Sequence, residues 1–534
     1  MRIRRTWGQG AAYDRQAMFV DYLDRGFSLD PEALCMVRAD GSLGLTHGEF
    51  SGLTHRVAAT LQERDLGAGA KVAVFAPNGP LGYAAVIGVL RAGAGWVALN
   101  PKSEHNELTQ LLALLDCDFL IYSTAYGERA EALLAAAAGI RGSVRFGDDE
   151  LGADFEAWLA PPGARATPLP HDPARPLMFL GSGGTTGAPK GIVIDDRQFC
   201  TMSLGFNAHM KEDGRPTYLM ATPMTHAAGT LGFPTLAEGG TIVVHDGVKA
   251  AVVLDSIERD RVTRLFLPPT AIYSLLADPG VRERNYSSLH HFLYAAAPMS
   301  ADKLIEAMDV FGPVMAQCFG QSEAPMLATY MSPSEHAEAL DDPAKRGRLA
   351  SCGRASLIAA VGVMDDEGNL LGDGEQGEIV IRGDLVMAGY YENPEASAEV
   401  RRPGGWHATG DLGYRDRDGF FYIVDRKRDM IISGGFNVFP SEVERVIWSH
   451  EAVLDCAVIG LPDEKWGESV TAIVELKPGA AVEEAELIAL CKAELGSVKA
   501  PKAVHFRGLP RSTAGKVLKR KLRDEYWTGQ ARRV

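Results

Sequence analysis

Short apolar runs alternate with longer amphipathic segments along most of the chain. Runs rich in Val, Leu and aromatic residues, at residues 71–75, 96–99 and 119–122, have the length of buried strands. Stretches rich in Ala and Leu, at residues 81–90 and 107–115, have the length of helices. Strands that alternate with helices indicate a mostly parallel sheet covered by helices. The pattern therefore predicts an α/β fold.

The last third of the chain follows a different pattern. Between residues 365 and 424, Gly- and Asp-rich turns alternate with Val/Ile runs, which predicts a β-rich subdomain. A charged segment, residues 425–429, then separates two apolar runs and is the strongest candidate for a domain boundary. Beyond it we predict a helix, two strands and a helix, at residues 441–448, 457–459, 471–475 and 483–494. We therefore expect a large N-terminal domain, residues 1–427, of several subdomains with layered sheets and helices. A small, mobile α+β C-terminal domain, residues 428–534, would follow it.

Composition narrows the class of protein. The chain has 534 residues, of which 46% are hydrophobic and 23% are charged, as in soluble globular proteins of two or more domains. Its net charge of −15 argues against a nucleic-acid partner, which would need a basic surface. The longest apolar segment, residues 83–99, is interrupted by Arg91 and several glycines. It therefore predicts a buried helix followed by a strand rather than an integral membrane segment.

The seven cysteines favour a reducing compartment. No two of them form a Cys-x-x-Cys pair, and their number is odd, which is typical of free thiols rather than of a disulfide framework. The N-terminal segment has no uninterrupted apolar core, so no signal peptide is expected. We therefore expect a cytoplasmic protein, and the sequence leaves open whether it forms a homodimer.

The most informative segment is residues 182–191, which read Ser-Gly-Gly-Thr-Thr-Gly-Ala-Pro-Lys-Gly. Glycines allow the backbone to curl so that successive N–H groups surround an anion, and the threonine hydroxyls add donors, which predicts a polyphosphate site. The segment is not a P-loop, because Lys190 lies between Pro189 and Gly191 and leads into β-branched residues. A dinucleotide fingerprint starting at Gly181 would need glycine where Thr186 stands. The alternative is an ordinary Gly/Thr surface loop.

Six further patches follow in order along the chain. They lie at residues 223–229, 294–298, 319–323, 409–412, 430–437 and 510–517. An aromatic can stack on a base, a carboxylate can hold Mg²⁺ or ribose hydroxyls, and a run of small residues lets a planar group approach the backbone. Each patch alone also has an ordinary interpretation: a structural histidine, a tight strand end, a turn, a glycine turn or a solvated basic tail.

Taken together, these patches carry a family resemblance. From Leu45 to Lys521 the chain resembles the adenylate-forming superfamily, which comprises acyl-CoA synthetases, nonribosomal-peptide adenylation domains and luciferases. The resemblance is most specific at residues 184–191, 409–412, 425–437 and 515–516. Residues 459–468, which read Ile-Gly-Leu-Pro-Asp-Glu-Lys-Trp-Gly-Glu, are similar to the fatty-acid and aryl-acid CoA ligase branch.

The resemblance implies roles for individual residues. Lys516 matches the catalytic lysine, Glu323 the carboxylate that holds Mg²⁺, and His226 the residue that borders the acyl pocket and the thiol entrance. Asp411 and Arg426 match the ribose-binding pair. The residues that the resemblance assigns to ATP or CoA are Ser182, Gly184, Thr185, Thr186, Gly187, Lys190, Ala296, Ala297, Phe319, Gly320, Gln321, Ser322, Asp411, Arg426, Gly434 and Gly435.

Three positions depart from the family pattern. Gly183 stands where a serine is usual, which removes one hydroxyl from the phosphate loop. Residues 295–297 are all alanine where glycine is commoner, so the adenine and acyl walls are expected to be tighter. Arg428 takes the hinge position usually held by Asp or Lys. None of these changes removes a charge that the chemistry needs.

The implied function is an ATP-dependent carboxylic acid–CoA ligase that uses ATP, Mg²⁺ and coenzyme A. It would form an acyl-adenylate and pyrophosphate, then acyl-CoA and AMP. The expected pocket walls are small and apolar and carry no Lys or Arg, which fits an apolar monocarboxylic acid, either aryl or medium- to long-chain aliphatic. The alternatives are a stand-alone adenylation enzyme that loads a carrier protein or an amine, a luciferase-type oxygenase, and a nucleotide sensor without chemistry. A hydrolase is disfavoured, because the chain has neither a Gly-x-Ser-x-Gly elbow nor a His-Glu-x-x-His pair.

Overall fold

The computed structural model of the chain describes residues 17–181, 190–463, 465–511 and 517–527. Its α-helices are α1 Phe19–Leu29, α2 His47–Glu63, α3 Pro80–Ala92, α4 His105–Leu114, α5 Gly127–Ala136, α6 Gly152–Trp158, α7 Asp196–His209, α8 Ala227–Ala237, α9 Ala250–Arg259, α10 Pro269–Leu276, α11 Ala301–Phe311, α12 Pro333–Asp341, α13 Pro394–Glu399, α14 Pro440–Trp448, α15 Glu484–Lys499 and α16 Lys519–Asp524.

The strands divide among separate sheets. In chain order they are β1 Leu34–Arg38, β2 Gly44–Thr46, β3 Lys71–Phe75, β4 Gly95–Ala98, β5 Phe119–Ser123, β6 Gly142–Phe146, β7 Pro176–Gly181, β8 Gly191–Asp195, β9 Thr217–Met220, β10 Thr241–Val244, β11 Arg264–Leu267, β12 His291–Tyr294, β13 Met315–Gln321, β14 Ala324–Met331, β15 Arg354–Ala355, β16 Ala360–Met364, β17 Gly377–Arg382, β18 Arg401–Arg402, β19 Trp406–Arg415, β20 Phe421–Arg426, β21 Ile431–Ser433, β22 Phe436–Val438, β23 Val453–Asp463, β24 Gly467–Leu476 and β25 Ala503–Phe506.

Two largely parallel sheets form the N-terminal part. One has the strand order β6-β5-β3-β4-β7-β8 and is parallel except where β8 turns back antiparallel to β7. The other has nine strands in the order β15-β14-β13-β12-β11-β9-β10-β1-β2, and its strands from β13 to β1 are parallel. The predicted α/β fold is therefore confirmed, and the predicted strands at 71–75, 96–99 and 119–122 correspond to β3, β4 and β5.

Helix α3 lies in the middle of this core and explains the apolar segment noted in the sequence. All of its residues are buried, including Arg91, whose guanidinium forms an ion pair with Asp24 at 2.5 Å. It ends at Gly93, whose φ of +85° is the left-handed conformation that glycine adopts without strain. The predicted buried helix followed by a strand is confirmed as α3 and β4. Among the described residues, no helix is long and apolar enough to cross a membrane.

Two smaller sheets complete the fold. Strands β16, β17, β19 and β18 pair in that order, with β20 added to β19, and they form the predicted β-rich subdomain. Strands β22, β21, β24 and β23 form a further sheet, with β25 parallel to β24. Helices α14 and α15 cover this last sheet and share its apolar core. The chain thus ends in a smaller α+β unit, as the sequence predicts.

A buried ion-pair network holds the end of the chain onto this unit. The Nζ atom of Lys519 lies 2.7 Å from the carboxylate of Glu444; the Glu444 side chain is buried, and that of Lys519 is 18% exposed. Burial by itself would lower the pKa of Lys519, but the carboxylates of Glu444, Asp425 and Asp429 outweigh it and raise the pKa. Arg523 completes the network with a 2.8 Å ion pair to Asp429. Helix α16 is therefore attached to residues 425–429 and to α14.

We predict that Lys519→Met destabilises the smaller unit by about 3–5 kcal/mol, because it leaves the Glu444 carboxylate buried without its cation. Hydrogen exchange of the β23 and β24 amides measures the local free energy of opening. The matched control is Arg520→Met on the same helix, which removes an ion pair with Asp524 between solvent-exposed side chains. The control should change that free energy by less than about 1 kcal/mol. Equal effects of the two variants would contradict the assignment.

Candidate active site

The carboxyl ends of β9, β12 and β13 carry several predicted site residues to one edge of the nine-stranded sheet. Because β12 and β13 are parallel neighbours, residues 295–297, which follow β12, lie beside Phe319 and Gly320 at the end of β13. In open α/β sheets this is the edge where ligands bind. Ala296 has a φ of +74°, a left-handed conformation in which an alanine is strained and a glycine is not. The strained alanine agrees with glycine being the commoner residue in this run.

A tight turn between β13 and β14 presents Glu323. Gly320 lies where the two strands approach each other, and a Cβ atom there would be 2.6 Å from the Met326 nitrogen. Only glycine therefore fits at this position without a shift of the backbone. Two contacts hold Glu323: its backbone oxygen accepts from the Met387 N–H at 2.8 Å, and its Oε1 accepts from the Tyr390 hydroxyl at 2.9 Å. Its carboxylate is thus oriented from both ends of the residue.

Gln321 connects this turn to the β16–β20 subdomain. Its Nε2 donates to the backbone oxygen of Thr409 at 2.9 Å, and its Oε1 accepts from His407 Nε2 at 3.2 Å. Burial lowers the pKa of His407, so the ring stays neutral at pH 7 and donates from Nε2. Both ends of the Gln321 amide thus contact protein groups, whereas the neighbouring Ser322 is exposed. Gln321 places Thr409 and the following residues next to the Glu323 turn.

The predicted ribose pair lies in register on β19 and β20. Asp411 faces Arg426 across the antiparallel pair, and Arg426 Nε is 2.6 Å from Asp411 Oδ1. The Asp411 side chain is 4% exposed and that of Arg426 is 34% exposed, so the pair lies at the edge of the protein interior. Thr409 Oγ1 accepts from the Asp411 N–H at 3.1 Å. The carboxylate is therefore oriented by the guanidinium and lies close to the surface.

The predicted phosphate loop joins β7 to β8. These strands form an antiparallel pair with Gly181 opposite Gly191, so the loop begins and ends at the same place. Five of its predicted binding residues, Ser182, Gly184, Thr185, Thr186 and Gly187, lie outside the described residues. The ammonium of Lys190 lies 5.0 Å from the centroid of the Tyr390 ring and 3.6 Å from Glu399 Oε2. The Tyr390 side chain therefore contacts both Lys190 and Glu323.

His226 is the N-cap residue of α8. Its Nδ1 lies 2.9 Å from Thr225 Oγ1. The residue is exposed to solvent, but neighbouring protein atoms partly desolvate the ring. This partial desolvation lowers its pKa, so the ring is neutral at pH 7. The first turn of α8 is fixed by Tyr83, whose hydroxyl donates to Gly229 O at 2.5 Å. Thr230 Oγ1 contacts Met326 Sδ at 3.4 Å, which joins α8 to β14 and so to the Glu323 hairpin.

The remaining predicted residues belong to the smaller C-terminal unit. Gly434 and Gly435 form the turn between β21 and β22, with φ values of +60° and +81°. A Cβ on Gly434 would lie 2.7 Å from the ring of Trp466, so an aromatic packs directly on this glycine backbone. Lys516 lies outside the described residues. The described residues on either side of it, Arg511 and Val517, form an antiparallel bridge with each other.

This part of the smaller unit faces the N-terminal part. Arg511 Nη2 is 2.7 Å from Asp455 Oδ2. Burial raises the pKa of Tyr273, and the Asp455 carboxylate raises it further, so Asp455 is close enough to act on that phenol. The Tyr273 hydroxyl accepts from the Ser300 N–H at 3.0 Å, just beyond the residue 295–297 run. Arg511, the last described residue before Lys516, is therefore paired with a carboxylate that lies near Tyr273 of the N-terminal part.

The donor set suits a magnesium ion carried on a phosphate ligand. Among the described residues, no group of three or more His, Cys, Asp or Glu side chains could hold a metal. Mg²⁺ in nucleotide sites is commonly bound by one or two carboxylates together with substrate phosphates. Glu323, half-buried and with one oxygen engaged by Tyr390, is a carboxylate of this kind. The residues present therefore fit the ion.

Two features of this region were not predicted from the sequence. Tyr390 is not among the candidate residues, although residues 389–391 read Gly-Tyr-Tyr and precede a helix that starts with a proline. The second feature is the structural use of Gln321, which was predicted only as a cofactor-binding residue. Its link to Thr409 joins strands 88 residues apart.

Comparison with known proteins agrees with this geometry. The model of the family described as "AMP-binding enzyme" matches residues 24–391, and that of the "AMP-binding enzyme C-terminal domain" matches residues 442–516. The chain is 36% identical over 513 residues to a medium/long-chain-fatty-acid–CoA ligase, FadD8, of Mycobacterium tuberculosis, covering 92% of this chain and 88% of the relative. It is 35% identical over 491 residues to a feruloyl-CoA synthase of Amycolatopsis sp, covering 91% of this chain and 95% of the relative.

A similar solved structure is the amide bond synthetase McbA of Marinactinospora thermotolerans. Its TM-score is 0.85 at 29% identity, with 95% of this chain and 100% of that chain covered. The resemblance to the adenylate-forming superfamily seen in the sequence is thus confirmed. Since the first family model alone matches more than half of its length, the chain belongs to the AMP-binding enzyme family.

Proposed function

We propose that the protein is an ATP-dependent carboxylic acid–CoA ligase that acts on an apolar monocarboxylic acid. The observation that carries the proposal is the chain of contacts around Glu323. Gln321 links the Glu323 turn to the strand of Asp411, and Tyr390 links Glu323 to Lys190. One set of contacts thereby holds Glu323, Asp411 and Lys190 near one another. ATP binding requires such a set: a carboxylate for the metal ion, a carboxylate for the ribose and a cation for the phosphates.

In the first half-reaction the acid is activated. A carboxylate oxygen of the acid attacks the α-phosphorus of ATP, a new P–O bond forms, and the bond to the bridging oxygen breaks to release pyrophosphate. When bound, Mg²⁺ would neutralise charge on the phosphates. In this chain Glu323 would hold the ion, Lys190 and residues 182–187 would bind the phosphates, and Asp411 would accept hydrogen bonds from ribose. Phe319 would pack against adenine beside Ala296 and Ala297.

In the second half-reaction the thiol of coenzyme A loses its proton and attacks the acyl carbon. A C–S bond forms, and the bond between the acyl carbon and the phosphate oxygen breaks, so that AMP leaves. The neutral ring of His226 would border the acyl group and the thiol. Since the two half-reactions need different groups in one place, we propose that residues 428–534 form a domain that rotates about Arg428. One orientation would place Lys516 at the phosphates, and the other would place Gly434 and Gly435 along the path of the thiol.

The class of acid stays open between two possibilities. FadD8 is a medium/long-chain-fatty-acid–CoA ligase and the Amycolatopsis protein is a feruloyl-CoA synthase, and the chain is nearly equally similar to both. The expected wall lies at residues 226–229, 295–297 and 317–320, and its residues Ala227, Ala295 and Phe319 pack against the main hydrophobic core. An apolar acyl group, aryl or aliphatic, suits such a wall.

The oligomeric state is a separate question, and a homodimer stays a prediction.

A second candidate function is transfer of the acyl group to an amine or a carrier protein. The similarity to an amide bond synthetase favours it specifically. Both candidates share the adenylation step and differ only in the nucleophile. We propose CoA as the nucleophile because the two relatives described above are a fatty-acid–CoA ligase and a feruloyl-CoA synthase. The seven cysteines are all free thiols, which supports a reducing, cytoplasmic location.

The acceptor can be determined directly. We expect pyrophosphate release to depend on an apolar carboxylic acid, with straight-chain and arylalkenoic acids forming the test panel. Acyl-CoA should then accumulate when CoA is present, as measured by liquid chromatography. A parallel reaction with an amine but no CoA is the control. Amide formation at the same rate as thioester formation would contradict the ligase assignment in favour of the second candidate.

Because we propose that Lys516 acts only in the first half-reaction, Lys516→Ala should affect the two half-reactions differently. Acid-dependent pyrophosphate release should fall roughly 100- to 1,000-fold, because a fixed cation at the transition state is lost. Thioester formation from a supplied acyl-adenylate should stay within about threefold of the wild type. Lys521→Ala, which removes an exposed lysine of α16, is the control and should change neither rate. Equal loss in both half-reactions would defeat the proposed rotation.

A further inference from the structure

The segment from Met387 to Tyr391 lies against Glu323 and Lys190, the two groups that we propose act on the metal ion and the phosphates. Three contacts fix it there. Met387 N–H donates to Glu323 O at 2.8 Å, Tyr390 forms a bridge with Ile192, and Tyr391 N–H donates to Gly191 O at 2.7 Å. The segment therefore joins the Glu323 hairpin to the first residues after the predicted phosphate loop. It contributes a side chain, Tyr390, that the predicted mechanism does not use.

The Tyr390 side chain uses its two ends differently. Its hydroxyl donates to Glu323 Oε1 at 2.9 Å, while the Lys190 ammonium lies 5.0 Å from the ring centroid. A hydrogen bond to a carboxylate is a strong, directional restraint, whereas an ammonium over a phenol ring is held more weakly. The ring thus lies between a carboxylate that must hold a cation and an ammonium that must bind an anion.

A backbone contact keeps this arrangement in place. The Tyr390 N–H donates to Ser397 Oγ at 2.8 Å, which anchors the residue to α13. The hydroxyl therefore always occupies one oxygen of Glu323 and leaves the second oxygen of that carboxylate for another ligand.

We propose that Tyr390 is a positioning residue for adenylation: its hydroxyl orients the Glu323 carboxylate so that the second oxygen faces the metal ion carried by ATP. This inference rests on the proposed function. It predicts an effect on how strongly the metal ion improves nucleotide binding, which a purely structural tyrosine would not influence.

The test is Tyr390→Phe, which keeps the ring and removes only the hydroxyl. The affinity for ATP is measured by calorimetry with and without Mg²⁺, and the ratio of the two dissociation constants is compared with that of the wild type. We expect the ratio to fall about 10-fold or more, because a hydrogen bond to a charged group is lost. Affinity for ATP without the metal should change less than about threefold.

The adjacent residue, Tyr391, provides a matched control. Tyr391 accepts from Lys71 Nζ at 3.1 Å through its hydroxyl, and Lys71 Nζ lies 5.1 Å from its ring centroid. Tyr391→Phe therefore removes the same kind of group from a similar environment without touching Glu323. It should leave unchanged the ratio of the ATP dissociation constants measured with and without Mg²⁺, which we call the metal ratio. Thermal unfolding of both variants shows that each is folded.

A double mutant decides whether Tyr390 acts through Glu323. In a Glu323→Gln background the metal ratio is already lost, so Tyr390→Phe should add no further decrease. A ratio for Tyr390→Phe equal to that of the wild type, or an additive loss in the Gln background, would overturn the proposal. If the wild type itself shows neither ATP binding nor acid-dependent pyrophosphate release, the proposed function fails first, and this inference fails with it.

Discussion

Parallel pairing in one sheet is the constraint on which the rest of the site depends. Strands β9, β11, β12 and β13 run the same way, so the residues that follow them lie at one edge. Segments that are far apart along the chain, the His226 loop, the alanine run and the Glu323 hairpin, become neighbours for this reason. Any strand reversed in this part of the sheet would send one of these segments to the opposite edge. The chemistry thus follows from strand direction before any side chain is considered.

The second requirement is that buried polar groups at this edge have partners. Gln321 has both ends of its amide engaged by protein atoms, and Asp411 is buried opposite the guanidinium of Arg426. Leaving such groups unsatisfied would cost about 1–3 kcal/mol each, and more for a charged one. The Gln321 bonds also join the nine-stranded sheet to the sheet that contains β19, and the Asp411–Arg426 pair joins β19 to β20. Stability and positioning of the site are therefore provided by the same contacts.

Sequence reasoning predicts the parts of this protein that depend on local pattern. The strands β3, β4 and β5, the buried α3 and the smaller α+β unit follow from apolar periodicity and charge, and the Asp411 and Arg426 pair follows from family resemblance. The contact between Tyr390 and Glu323 does not, because it spans 67 residues and depends on which loops meet after the sheets assemble. For the same reason the dual use of Gln321 could not be predicted from its neighbours. The roles in binding and catalysis that are assigned to the candidate site residues, from the loop at 182–187 to Lys516, all stay predictions.

The account's central claim is that the loop at residues 182–190 and the carboxylate of Glu323 serve one triphosphate. A crystal structure with a non-hydrolysable ATP analogue and Mn²⁺, located by its anomalous signal, tests this most directly. We expect the ion to bind Glu323 and a phosphate oxygen, with the β- and γ-phosphates surrounded by the N–H groups of the loop. An ion bound away from Glu323, or phosphates bound outside the loop, would contradict the account.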